Sequence, residues 1–106
     1  MKRIINVVTA TCEKDNFGPM LKNLKTGVPI VKKCWPDMGF HILTARSGPM
    51  FRVLYVEQFP SMAAHEKWQE SWGEYPEAMQ IIEKHVGLIK TESVEIFQLE
   101  GSTADE

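Results

Sequence analysis

Three stretches of this chain are apolar at both of their alternating sets of positions, and that limits the fold more than any other feature. In Arg3-Ile4-Ile5-Asn6-Val7-Val8-Thr9-Ala10, Ile4 and Val8 alternate with Ile5 and Val7; in Phe51-Arg52-Val53-Leu54-Tyr55-Val56-Glu57, Val53 and Tyr55 alternate with Leu54 and Val56; and in residues 93–99, Val94 and Ile96 alternate with Phe97 and Leu99. Successive strand residues point to opposite faces, so a sheet built from these segments is apolar on both sides. Both sides then need a cover.

Two helical patterns supply one cover. In residues 15–34, Met20, Leu21, Leu24, Val28 and Val31 recur at helical spacing, and Gly27 and Pro29 are expected to kink or divide that helix. After Ser61, a good N-cap, His65, Trp68, Trp72, Tyr75, Met79, Ile82 and Val86 fall three or four residues apart on one face. Gly73 and Pro76 lie inside this pattern, which predicts a bend or two consecutive helices near residues 73–76, with Gly87 as the C-cap. Trp35-Pro36-Asp37 breaks the chain before a second strand at residues 38–45, and Ser47-Gly48-Pro49 signals a tight turn into the third, making those two an antiparallel hairpin.

The resulting order is β-α-β-β-α-β, the split pattern of ferredoxin-like α+β domains: a four-stranded antiparallel sheet with two helices on one face. It is expected to span residues 1–100 as one domain, with a polar tail at 101–106. The uncovered face, about ten apolar side chains, exceeds what soluble monomers usually tolerate. Burying roughly 1,000 Å² of apolar surface at about 25 cal/mol per Å² corresponds to some 25 kcal/mol before association costs, ample to drive pairing of two identical chains. The expectation is a homodimer, sheet face to sheet face.

The charge balance narrows the partners. Twelve Lys and Arg against fourteen Asp and Glu give a net charge of −2, which lacks the positive field that nucleic acid or anionic lipid demands. No apolar stretch approaches the roughly 20 residues that span a bilayer, and residues 1–6 turn polar too soon for a signal-peptide core. Cys12 and Cys34 share no CxxC spacing and read as reduced thiols, so the expected location is the cytoplasm.

Element order and lengths, Gly48-Pro49 leading into residues 51–59, and the following helix rich in aromatics resemble the dimeric α+β barrel superfamily. Within it, the segment 20–39 and the Glu57-Gln58-Phe59-Pro60-Ser61 passage are similar to the NIPSNAP group. The resemblance implies a ligand pocket between the sheet and the second helix. It also implies three functional options: a cofactor-independent monooxygenase acting on an aromatic substrate, a non-catalytic binding or interaction protein, and, as a minor alternative, a haem-binding or haem-degrading monooxygenase.

The residues that carry such chemistry are few. Asn6 interrupts an apolar strand, and a buried amide without partners costs on the order of 1–3 kcal/mol, so it bonds either a ligand or a neighbouring backbone group or water. His65 shares a helical face with Trp68 and Trp72, where an imidazole could move a proton beside two indoles; the same stripe can equally be plain core. Asn6, His65 and His41 are the candidate catalytic residues, with Trp68, Trp72, Tyr55, Arg52 and Tyr75 as candidate ligand contacts. Arg52 and Tyr55 project from opposite strand faces, so at most one can face a given pocket. The haem alternative needs Trp72 and His85 on one side, and on an unbroken helix advancing about 100° per residue they point nearly opposite ways. His41, His65 and His85 show no metal-ligand spacing, so neither metal nor cofactor is expected.

Overall fold

The computed structural model describes residues 3–48 and 51–103; Pro49 of the expected turn and the end of the expected tail lie outside the described residues. The elements run β1 (Ile4–Thr11), α1 (Lys14–Cys34), β2 (Gly39–Thr44), β3 (Arg52–Phe59), α2 (Met62–Glu70), a single 3-10 turn (Trp72–Glu74), α3 (Pro76–Val86) and β4 (Lys90–Gln98). All strand pairs are antiparallel in the order β2-β3-β1-β4, which puts the two most apolar strands in the middle. Among the described residues, no helix is long and apolar enough to cross a membrane.

The register sorts the side chains. Ala10 pairs with Val53, Val8 with Tyr55, Asn6 with Glu57 and Ile4 with Phe59, and directly paired residues share a face. Met20 and Leu24 of α1 pack on Ala10, Val53 and Tyr55, so this is the inner face, under the helices. Ile5, Val7, Leu54 and Val56 occupy the outer face and are only half-buried, while Leu43 and Phe97 beside them are 49% and 48% exposed. The unshielded apolar face that the alternation demands is therefore present. β4 also lies beyond the helices: Val94 and Ile96, on the inner face next to Val8 and Asn6, are 61% and 49% exposed.

Three local expectations change. The first helix is neither divided at Gly27 nor at Pro29; it runs unbroken over 21 residues. Pro29 removes the amide that would bond the Lys25 carbonyl, but both residues are exposed and water can take that carbonyl. Gly27 serves packing instead, since a Cβ there would lie 2.7 Å from Ile81 Cγ2 of α3, and one residue-turn away Asn23 Nδ2 donates to the Ile81 carbonyl at 3.3 Å. The third strand begins at Arg52 because Phe51 takes a left-handed φ of 59°, which no strand accommodates, as Gly48 at 75° completes the described part of the turn.

The third change matters most for function. Ser61 caps α2 as expected, its Oγ accepting from the Ala64 amide at 3.2 Å, and the second helical segment breaks around Ser71–Tyr75 with Pro76 opening α3. That break resets the helical phase. The single stripe read from the sequence does not continue through it: Val86 is 60% exposed, and Ala78 and His85 are the residues that α3 buries.

Candidate functional site

One row of the inner face carries two polar side chains at its centre, on the two middle strands. Phe40, Glu57, Asn6 and Ile96 lie side by side across the four strands, and Asn6 Nδ2 donates to Glu57 Oε1 at 2.7 Å. Burial pushes the Glu57 carboxyl up to about 7, against the opposing pull of the Asn6 amide, which favours the charged form. Asn6 is 5% exposed and its Oδ1 has no partner.

Rings from the helices flank this row on either side. One strand position beyond it on the same face, Phe59 packs against His65 (centroids 4.9 Å apart) and Trp68 (5.1 Å), and Trp68 meets Trp72 edge-on at 5.0 Å. One position before it, Tyr55 stacks on Phe40 and meets His85 edge-on at 5.1 Å, with the Tyr55 hydroxyl and His85 Nε2 sharing a hydrogen bond. Burial holds the Tyr55 phenol well above its ordinary range and lowers the basicity of His85. Both nitrogens of His65, which is 1% exposed, are without partners, as are Trp68 Nε1, Trp72 Nε1 and His85 Nδ1. So many unpaired polar atoms around one aromatic layer is unusual, because each costs on the order of 1–3 kcal/mol when buried unpaired.

At the Phe59 end of the sheet, a cleft of about 500 Å³ opens between the end of α1 and α2. Trp35, Phe59, Trp68 and Tyr75 give it aromatic walls, and Trp35 is fixed by donating from Nε1 to Ser71 Oγ at 2.8 Å. Trp68 therefore stands between the cleft and the aromatic layer rather than being sealed against the sheet.

The structure brings together Asn6, Tyr55, His65, Trp68 and Trp72 on the inner side, and puts Tyr75 in the cleft. His41 and Arg52 do not join them. Both belong to the outer face by register, His41 opposite Val56 and exposed, Arg52 opposite Thr11 with its Nε buried and unpartnered. Two members of the site, Glu57 and His85, were not among the sequence candidates. Parity carried a signal for Glu57, which sits two residues from both Tyr55 and Phe59; the place of His85 depends on the phase reset between α2 and α3.

Haem would need an imidazole nitrogen free to ligate iron. On α3 the His85 Nε2 is engaged by the Tyr55 hydroxyl, whereas His65, whose two nitrogens are unpartnered, lies buried among Phe59 and Trp68. Among the described residues, no three His, Cys, Asp or Glu side chains gather as a metal-ligand set.

No protein-family model and no curated protein matches the sequence. Solved structures do. A NIPSNAP family protein of unknown function from Agrobacterium tumefaciens superposes with a TM-score of 0.77 at 15% identity, covering 92% of this chain and 87% of its own. SnoaB, a cofactor-independent oxygenase from Streptomyces nogalater, gives 0.75 at 9% identity over 99% and 100% of the two chains. A dimeric protein of unknown function and ferredoxin-like fold from Bacteroides fragilis gives 0.70 at 6% identity over 92% and 96%. This chain has their ferredoxin-like fold. The expected α+β architecture is thereby shown, and the site described above lies on the inner side of that shared ferredoxin-like sheet.

Proposed function

We propose that this protein is a cytoplasmic homodimer, joined through the outer sheet face, that binds a small, mostly apolar or aromatic molecule against the Phe59–Trp68–Trp72 wall and oxidises it without a cofactor. The observation that carries the reading is the set of buried, unpaired polar atoms facing one aromatic layer: Asn6 Oδ1, both His65 nitrogens and Trp72 Nε1. A ligand with a hydroxyl or carbonyl among its rings would pair them. Support for the homodimer comes from the outer face, where Leu43, Leu54, Val56 and Phe97 leave an apolar surface that water disfavours. Cys12 and Cys34 are both free thiols, in keeping with a reducing compartment.

The chemistry balances with O₂ as the only oxidant. Loss of the hydroxyl proton from a phenol leaves an electron-rich phenolate; a ring carbon bonds to one oxygen atom, the C–H at that carbon and the O–O bond break, and a quinone and one water result. Both protons end in the water. Asn6 holds the oxygen that carries negative charge during the transfer, the role of a preorganised donor, through the second N–H of the amide that donates to Glu57.

A second reading has its own observation. Trp68 is met by Trp35, Phe59 and Trp72, so these rings already fill much of the space, as in a binding protein that performs no reaction. Oxygen uptake with a panel of phenols and quinols decides between them. Oxidation predicts uptake that disappears in an Asn6→Ala, His65→Ala double variant; an unchanged rate there removes both residues from the reaction, and ligand binding with no uptake in the unaltered protein favours the second reading.

A further inference from the structure

Within the site just described, one charged group has no structural task that an apolar residue would not perform better. Glu57 lies on the inner face of a central strand, its neighbours along that face are Tyr55 and Phe59, and its Oε1 accepts from Asn6 Nδ2. Among the described residues no Lys or Arg pairs with it: the cause of its altered acidity is burial, opposed by the Asn6 amide. The buried titratable groups on the inner face and the helices over it are Tyr55 on the same strand, His65 from α2, His85 from α3 and Cys34 from α1, the other Glu and Lys side chains of those helices being exposed. His85 is bonded to Tyr55 and Cys34 to Glu77, so neither is committed to Glu57. A half-buried, unneutralised carboxylate is an expensive thing to keep in a sheet.

We propose that Glu57 is the catalytic base of this site: with one oxygen held by the Asn6 amide, its carboxylate takes the hydroxyl proton of the bound aromatic molecule. The proposal rests on the reading that an aromatic ligand occupies this layer. The row Phe40-Glu57-Asn6-Ile96 ends at Ile96, 49% exposed on the edge strand, so that is the end of the row nearest solvent. A hydroxyl entering over Ile96 reaches Asn6 first, where Oδ1 is unpaired, and Glu57 next. The transfer is a simple exchange: the phenol O–H bond breaks, the Glu57 O–H bond forms, and the negative charge moves from carboxylate to ring oxygen. A base that titrates close to neutrality suits it, being ionised often enough to accept and basic enough to compete for the proton.

The test uses naphthol with the full chain and with Glu57→Gln, which keeps the carbonyl that accepts from Asn6. Quenching of tryptophan fluorescence reports binding. Deuterium entry into the ring carbon beside the hydroxyl, followed by mass spectrometry in D₂O under nitrogen, reports proton transfer without oxidation; oxygen uptake in air reports the whole reaction. Both proteins should quench alike, within about twofold, while Glu57→Gln loses deuterium entry and oxygen uptake by about a hundredfold or more. The unaltered protein's exchange rate should rise with pH through an inflection near 7 that the variant lacks. Exchange or uptake in Glu57→Gln at the original rate overturns the assignment and leaves the aromatic-ligand reading standing. Exchange without uptake in the unaltered protein supports Glu57 as the base and removes the oxidation reading. Absence of quenching in the unaltered protein brings down the ligand reading and Glu57 with it.

Discussion

The two faces of one sheet obey different rules in this molecule. The inner face is covered by helices yet carries Asn6, Glu57 and several unpaired nitrogens; among the described residues no element covers the outer face, yet it is apolar at Ile5, Val7, Leu54 and Val56. Polar groups sit where water is scarce and apolar ones where it is plentiful. A lone protomer optimised for its own stability would reverse this. On the proposed reading the inner face takes a ligand and the outer face a second copy of the chain, so substitutions on each should fail in different ways.

The largest effect is expected outside. Val56→Asp puts a carboxylate into the outer apolar surface twice per proposed dimer, and sedimentation should show association weakened on the order of a thousandfold or more, leaving a folded species of 12.1 kDa. A dimer that persists in this variant would place the interface elsewhere. Inside, Met20→Ala empties a fully buried position against Ala10 and Val53 and should lower stability in urea by about 2–5 kcal/mol without changing the sedimenting mass.

A pH series sharpens the contrast. Glu57 holds its proton in the folded state up to about 7 but in the unfolded chain only to about 4.5, so its contribution to stability is lost as pH rises between those values. Glu57→Gln should therefore be more stable than the parent by up to about 3 kcal/mol at pH 8, with the difference vanishing below 4.5. Equal melting curves at both extremes would mean that the carboxyl is solvated. His85 works in the other direction: burial lowers its folded value below the ordinary 6.5, so stability is lost as pH falls through that lowered range. The smallest change is Ser61→Ala, which removes the α2 cap and should cost about 1 kcal/mol in thermal or denaturant unfolding, with no effect on either face.

Most of the architecture was legible because it is written in periodicity. The double apolar parity of β1 and β3, the Ser61 cap and the Gly73–Pro76 interruption each act locally, and each reappears in the structure. Pro29 misled, because its cost depends on whether the orphaned Lys25 carbonyl can reach water, which is a property of the folded surface. The site was legible only in part for a related reason. Asn6, His65 and the tryptophans stand out as residue types, whereas Glu57 matters through its burial and its bond to Asn6, which need the register of two strands 51 residues apart. His85 needed the turn of the chain at Trp72–Glu74, whose phase no helical repeat can supply.

That short joint has a consequence of its own. Each residue added to or removed from it would rotate everything downstream by about 100° about its axis while leaving both flanking segments chemically intact. The joint therefore acts as the dial that selects which side of α3 greets the tyrosine, and a single-residue deletion there should swap the imidazole for a neighbour without touching the sheet.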